Sequence, residues 1–95
     1  MPTYERTRRF DRDLAALSAD QRRHFRNAVR RFVADLTAGR FRRGLRVKGI
    51  EGTQGVFEMT WAPDGRATFE YGESRGKGPH VIWRRVGTHD VFSEP

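Results

Sequence analysis

The chain has 95 residues, which suits one domain with a single modest core. It contains no cysteine, so disulfides and thiolate chemistry are excluded. No apolar run approaches the roughly 20 residues that a transmembrane helix needs. Residues 1–9 carry charge without the apolar stretch of a signal peptide. We therefore expect one cytoplasmic domain, residues 1–95, with no membrane partner.

Positive charge dominates the composition. Nineteen Lys and Arg residues outnumber twelve Asp and Glu residues, for a formal net charge of +7, and Arg is far commoner than Lys. The planar guanidinium of Arg binds phosphate oxygens in pairs. The balance favours a polyanionic partner, nucleic acid above all. A merely solvated surface or an acidic protein partner would give the same composition.

The first third of the chain predicts a strand and two helices. Residues 3–7 form a short candidate strand. Ser18 and Gln21 make a capping-box pattern, which separates two helices joined by a tight turn. Apolar residues at helical spacing mark the first helix: Phe10, Leu14 and Leu17.

The second helix is the clearest element of the sequence. It ends at Gly39, where a left-handed cap is easiest for glycine. Arg22, Arg26 and Arg30 follow one flank at i, i+4 spacing, as a solvated helix face or as phosphate contacts. Its apolar stripe comprises Phe25, Ala28, Val29, Phe32, Val33 and Leu36.

After Gly39 the apolar period changes from 3.6 to 2, which predicts four strands. In the first, Leu45 and Val47 alternate with Arg46 and Lys48. A turn at residues 63–65 joins the next two as a hairpin, and the last covers residues 81–86. We therefore expect an α+β domain of order β-α-α-β-β-β-β, in which an N-terminal strand and a helical hairpin pack on a C-terminal antiparallel sheet.

Alternation in the hairpin predicts two different sheet faces. The polar face is either a binding surface or simply a solvated face with cross-strand charge pairs. The side expected to face the helices comprises Phe57, Met59, Trp61, Ala67, Phe69 and Tyr71. The opposite side comprises Glu58, Thr60, Arg66, Thr68 and Glu70.

A basic stretch follows the second helix and is a candidate RNA-binding segment. Its cations would fix a phosphate backbone, and Phe41 would stack on an unpaired base. The alternative is that Phe41 and Leu45 belong to the core and the arginines are only solvated. The candidate RNA-binding residues here are Arg40, Phe41, Arg42, Arg43 and Arg46.

The last strand predicts a second cluster, in which Arg84, Arg85 and His89 meet at its end. Histidine exchanges protons near neutral pH, and arginine stabilises charge on phosphorus. A histidine near a chain end is also commonly structural. The three histidines have no metal-ligand spacing and no carboxylate cluster beside them, so we expect neither a metal nor another cofactor.

The sequence resembles the RelE/ParE toxin superfamily, specifically its RelE-like members. Motifs along nearly the whole chain carry the resemblance. They are residues 10–17, the Gly39-Arg40-Phe41-Arg42 exit from the second helix, residues 45–48, the hairpin 56–71 and residues 82–92.

The resemblance implies a toxin of a type II toxin–antitoxin pair that cuts mRNA on the ribosome. In that family a ribose 2′-OH attacks the adjacent phosphate without a metal. Lys48 and Arg66 then correspond to the basic positions of the second strand and of the hairpin. Arg85, with Arg84 as the second choice, and His89 supply the site on the last strand. Many family members carry Tyr where this chain has Phe92, which can stack on a base but cannot transfer a proton.

Two other functions are open on the same scaffold. One is a ParE-like inhibitor that binds DNA gyrase, and the other is a non-catalytic nucleic-acid-binding module. Lys48, Arg66, Arg85 and His89 favour the nuclease. All three readings predict a cognate antitoxin that covers the basic surface with an acidic or amphipathic segment.

Overall fold

The computed structural model describes residues 2–95. Two 3₁₀ segments accompany its helices and strands: Arg43–Leu45, and His89–Ser93, which we name the C-terminal 3₁₀ segment. The regular elements are β1 (Thr3–Arg6), α1 (Arg8–Ala16), α2 (Ala19–Ala38), β2 (Lys48–Gly49), β3 (Val56–Ala62), β4 (Gly65–Gly72) and β5 (His80–Gly87). The predicted α+β class and the order of its elements are confirmed.

The five strands form one sheet in the order β1-β5-β4-β3-β2. β1 runs parallel to β5, whereas the other neighbours are antiparallel. A parallel pair needs a long crossover connection, and here the helices and the other three strands lie between its two members. The N-terminal strand is therefore an edge of the sheet rather than a separate element.

Side chains fix both helix starts, and the capping box of the second is the one that the sequence predicts. Thr7 caps α1, and its hydroxyl accepts a hydrogen bond from the Phe10 amide at 3.1 Å. Ser18 and Gln21 form the reciprocal capping box at the start of α2. Gly39 ends α2 in the left-handed region, with φ of 81°. These local signals place the helical hairpin before any tertiary contact is considered.

An aromatic cluster fills the space between the helices and the sheet. The Phe32 ring is central, with its centroid 5.0 Å from Phe69 and 5.2 Å from Trp83. Phe25 meets Trp61 and Trp83 edge-on, an arrangement that aromatic pairs favour. In the stripe of α2, Phe25, Ala28 and Phe32 are buried, but Val29, Val33 and Leu36 are only partly covered.

The strand predicted over Leu45–Lys48 is wrong in extent. Leu45 is buried at the end of the 3₁₀ segment, and Arg46 follows in the left-handed region with φ of 49°. That turn breaks the extended run, so β2 keeps only Lys48 and Gly49. The alternation of residues 45–48 arose from a buried turn residue rather than from a continuous strand.

Thr68 is the second departure, because it is fully buried where the sequence predicts a solvated face. The chain after β5 folds back over this side of the sheet. A Cβ on Gly87 would lie 3.1 Å from Val91, and the C-terminal 3₁₀ segment packs against β4 and β5. Across residues 2–95, neither helix combines the length and the apolar character that crossing a membrane requires.

Candidate active site

Strand pairing aligns the polar residues of the sheet into rows. Lys48, Glu58, Thr68 and Arg85 are successive partners across β2, β3, β4 and β5. The next row contains Thr60, Arg66 and Gly87. Residues two apart on a strand share a face, so the rows adjoin on the side away from the helices. We name this side the polar sheet face; its residues are Lys48, Glu58, Thr60, Arg66, Thr68 and Glu70.

Arg66 is held at the hairpin end of the polar sheet face. Its Nη1 donates to the carbonyl oxygens of Ala62, Pro63 and Gly65 at 3.3, 3.2 and 2.9 Å. The Trp61 indole donates to the Arg66 carbonyl at 2.9 Å. The turn therefore fixes one side of the guanidinium and leaves Arg66 only partly buried.

His89 and Phe92 reach the same end of the sheet from the C-terminal 3₁₀ segment. Val91 is buried and anchors this segment, whereas His89 is exposed. The His89 and Phe92 rings meet edge-on, with centroids 4.9 Å apart. His89 lies two residues beyond Gly87, which is paired with Arg66. The fold thus brings the predicted residues Arg66 and His89 to one end of the sheet.

Lys48 occupies the opposite edge of the polar sheet face. Its side chain is 64% exposed, and Nζ lies 3.9 Å from Glu58 Oε1. This separation is longer than a direct hydrogen bond. The ammonium is therefore accessible to an anion, with the Glu58 carboxylate of β3 as its neighbour.

Arg84 and Arg85 are already engaged by acidic groups and main-chain oxygens. Arg85 forms a two-point contact with Asp13 of α1 and donates to the Glu94 carbonyl at 2.9 Å. Arg84 is an additional residue at a bulge in β5; it pairs with Glu70 and donates to Pro95 O at 3.2 Å. Both arginines stay predicted site residues, but each must exchange a partner to bind a phosphate.

In the basic stretch, Phe41 and Arg42 each contact another residue of this chain. Phe41 stacks on Phe32 with ring centroids 5.1 Å apart. Of the two interpretations of Phe41 from the sequence, this contact agrees with the one that places the ring in the core. Arg42 makes a two-point contact with Asp35 and lowers the pKa of that carboxyl to about 2. Arg40, Arg43 and Arg46 are exposed. Arg43, Arg46 and Lys48 also line an open depression of about 650 Å³.

Sequence patterns alone missed the acidic partners of these arginines. Asp13 lies 72 residues from Arg85 in the chain, so no local pattern joins them. Asp35 and Arg42 are only seven residues apart across Gly39. An acid before the end of a helix and an arginine just beyond it could have predicted this pair from the sequence. The ring of His80 is likewise buried between Thr3 and Glu5. Among residues 2–95 no group of three or more acidic or histidine side chains forms a metal site.

An apolar groove of about 470 Å³ lies between α2 and β1, away from the polar sheet face. Its floor includes the partly covered Val29, Val33 and Leu36. Tyr4 of the edge strand, 65% exposed, borders one side. Arginines of α2 line the other side: Arg22, Arg26 and Arg30.

No protein-family model matches the chain. No curated protein matches it significantly in sequence. Solved structures match its fold over nearly full length. The DinJ–YafQ toxin–antitoxin complex of E. coli has a chain with a TM-score of 0.69 at 15% identity, which covers 95% of this chain and 94% of that one.

Two further matches come from other organisms. The RelB–RelE antitoxin–toxin complex of Methanococcus jannaschii gives a TM-score of 0.62 at 16% identity over 94% of each chain. A YoeB/ParE toxin of Agrobacterium tumefaciens gives 0.66 at 11% identity, covering 92% of this chain and 98% of that one. The chain therefore has the fold of the RelE/ParE toxin superfamily, as its sequence motifs indicate.

Proposed function

We propose that this chain is the toxin of a type II toxin–antitoxin pair and cleaves mRNA on the ribosome, in the cytoplasm. The observation that carries the proposal is that Arg66 is paired with Gly87, two residues before the exposed His89, at one end of the polar sheet face. Lys48 lies on the same face and supplies a further cation. The RelE/ParE fold supports the proposal, because toxins share it.

The reaction is attack of a ribose 2′-OH on the neighbouring phosphate, and each residue has a role in it. Arg66 stabilises the charge that develops on phosphorus. His89 transfers a proton at the leaving oxygen, for which imidazole is well suited near neutral pH. Phe92 stacks on a base. Arg85 or Arg84 adds a cation after exchanging its main-chain oxygen for a phosphate oxygen.

The exposed residues of the basic stretch position the RNA strand. Arg43, Arg46 and Lys48 line one depression, so a phosphate backbone lying there would continue onto the polar sheet face. Phosphate contacts of this kind fix register and orientation rather than sequence. Arg40 extends the cationic surface toward the end of α2, while Phe41 packs on the core and Arg42 is paired with Asp35 at the surface.

The proposal includes a cognate antitoxin with an amphipathic, acidic segment. The apolar groove between α2 and β1 has an apolar floor and an arginine rim, which match those two properties. An amphipathic helix in a groove is a recurrent form of peptide recognition. Two of the structural neighbours named above, DinJ–YafQ and RelB–RelE, are complexes with antitoxins.

The second candidate is an inhibitor that binds DNA gyrase without chemistry of its own. One observation favours it: Arg84 and Arg85 are held in carboxylate pairs, which a binding protein has no need to release. A third form, a non-catalytic nucleic-acid-binding module, would use the same basic surface.

Translation reactions with wild type, His89→Ala and Arg66→Ala test the proposal. Primer extension on the mRNA reports cleavage, and a reaction without ribosomes runs beside it. His24→Ala and Arg31→Ala are matched controls, since both residues are exposed on α2. We expect ribosome-dependent cuts that fade only in the first two variants. Intact mRNA with gyrase-dependent DNA breaks would instead establish the second candidate.

A further inference from the structure

The proposed cleavage needs a group that removes the proton of the 2′-OH. Arginine stays protonated, so Arg66, Arg84 and Arg85 cannot serve. In a single step His89 cannot both give a proton to the leaving oxygen and take one from the nucleophile. The reaction therefore needs another proton acceptor, and the carboxylates of the polar sheet face are candidates for it.

The face carries two carboxylates, Glu58 and Glu70, and they differ in their surroundings. Glu70 accepts a hydrogen bond from Arg84 and is held in that pair. The Glu58 side chain is 13% exposed, and its charged neighbour is Lys48 at 3.9 Å, beyond hydrogen-bonding distance. A largely covered carboxylate without a hydrogen-bond donor is uncommon and calls for an explanation.

Strand register places Glu58 in the row next to that of Arg66, and His89 follows Gly87, the partner of Arg66. Glu58 is in the row of Arg85, Arg66 is in the row of Gly87, and His89 comes two residues further along the chain. β3 and β5 run in the same direction, because each is antiparallel to β4. A phosphate at Arg66 would thus have a carboxylate in the adjacent row and an imidazole at the same end of the sheet, one to accept a proton and one to donate it.

We propose that Glu58 is the general base of the reaction, an inference that rests on the proposed function. A Glu58 carboxylate oxygen takes the proton from the 2′-OH, and O2′ forms a bond to phosphorus. The bond from phosphorus to O5′ breaks, and O5′ receives a proton from His89. The products are a 2′,3′-cyclic phosphate and a 5′-hydroxyl end. Exchange with water then returns both side chains to their starting states.

Single-turnover cleavage by Glu58→Gln is the first test, because Gln keeps the shape but cannot accept the proton. We expect a loss of about 10²- to 10⁴-fold and partial recovery in Glu58→Asp. The increase of the wild-type rate with pH on the acidic side should be absent in Glu58→Gln. Glu51→Gln, which changes an exposed residue outside the site, should retain the wild-type rate and profile.

A substrate with sulfur in place of the 5′-bridging oxygen separates base from acid. Thiolate leaves without protonation, so this substrate should restore His89→Ala and leave Glu58→Gln inactive. Restoration of Glu58→Gln would make Glu58 an acid and overturn the assignment. If the wild type cleaves and Glu58→Gln cleaves equally well, the assignment of Glu58 as the base is overturned but the proposed function is not. Failure of the wild type to cleave would instead remove the proposed function, and this inference with it.

Discussion

Arg85 and Asp13 join the last strand to the first helix. Arg85 Nε donates to Asp13 Oδ2 at 2.6 Å, and Nη2 donates to Oδ1 at 3.3 Å. Asp13 Oδ2 also accepts the Val86 amide at 3.2 Å. β1 pairs with β5 only as far as Trp83. Asp13 therefore binds a backbone amide of β5 beyond the last residue that β1 pairs with.

Asp13→Ala should therefore destabilise the fold. The two side chains are only 14% and 18% exposed, so removal of Asp13 leaves a covered cation and an unpaired amide. We expect the free energy of unfolding in urea to fall by about 2–4 kcal/mol. Asp11→Ala breaks an exposed pair with Arg6 and should cost less than about 1 kcal/mol. Equal losses in both variants would contradict a structural role for the Arg85–Asp13 pair.

Thr68→Val should stabilise the protein. Thr68 Oγ1 is buried and has no hydrogen-bond partner, and an unpartnered buried hydroxyl is costly. We expect the free energy of unfolding to rise by about 1 kcal/mol. Thr60→Val, on the same face but half-buried, should change it by less than about 0.5 kcal/mol. A large loss in Thr68→Val would mean that the hydroxyl is bonded.

Local signals predicted much of this fold, and the unpredicted environments of Thr68 and Arg85 share one cause. The capping box at Ser18, the cap at Gly39 and the turn at residues 63–65 act within a few residues, and each is where the sequence placed it. Thr68 and Arg85 depend instead on distant segments. The C-terminal 3₁₀ segment covers the sheet near Thr68, and α1 supplies the partner of Arg85. The positions of Thr68 and Arg85 along their strands give no information about those contacts.

The candidate site likewise has features that the sequence predicts and features that depend on tertiary contacts. Alternation placed Glu58 and Arg66 on one face correctly, because the period of a strand decides its faces. The environment of Phe41 could not be decided from its basic neighbours, since stacking on Phe32 depends on how the chain leaves α2. Sequence therefore placed the candidate residues on the strands and their faces, but only tertiary contacts distinguish the exposed cations from the paired ones.

Asp35→Asn should lower stability at neutral pH and lose its effect in acid. Hydrogen bonds from Arg42 lower the pKa of the Asp35 carboxyl from 3.8 to about 2. A depressed pKa means that the ionised carboxylate stabilises the folded state. This contribution is complete above pH 4 and disappears as the pH falls toward 2.

Thermal unfolding midpoints of wild type and Asp35→Asn across pH 7 to 2 measure this effect. The difference between the two should be constant down to about pH 4 and then close. Asp20→Asn, which removes an exposed pair with Arg23, should show little difference at any pH. A gap between wild type and Asp35→Asn that persists unchanged at pH 2 would contradict the role given to Arg42.

Gly65→Ala should weaken both stability and cleavage, because Gly65 gives Trp61 the room it needs beneath the hairpin turn. A Cβ at position 65 would lie 2.5 Å from the Trp61 ring. The ring or the turn must shift, at a cost of about 1–3 kcal/mol.

The same movement disturbs the Trp61 bond to the Arg66 carbonyl and the three carbonyls that hold the Arg66 guanidinium. Cleavage should therefore fall even at temperatures where the variant stays folded, and the Trp61 indole N–H resonance should move. Gly44→Ala is the control for stability: its Cβ meets nothing within 4 Å, so the free energy of unfolding should stay near that of the wild type. A Gly65→Ala variant that melts earlier but cleaves at the wild-type rate would show that the position of Arg66 does not limit the reaction.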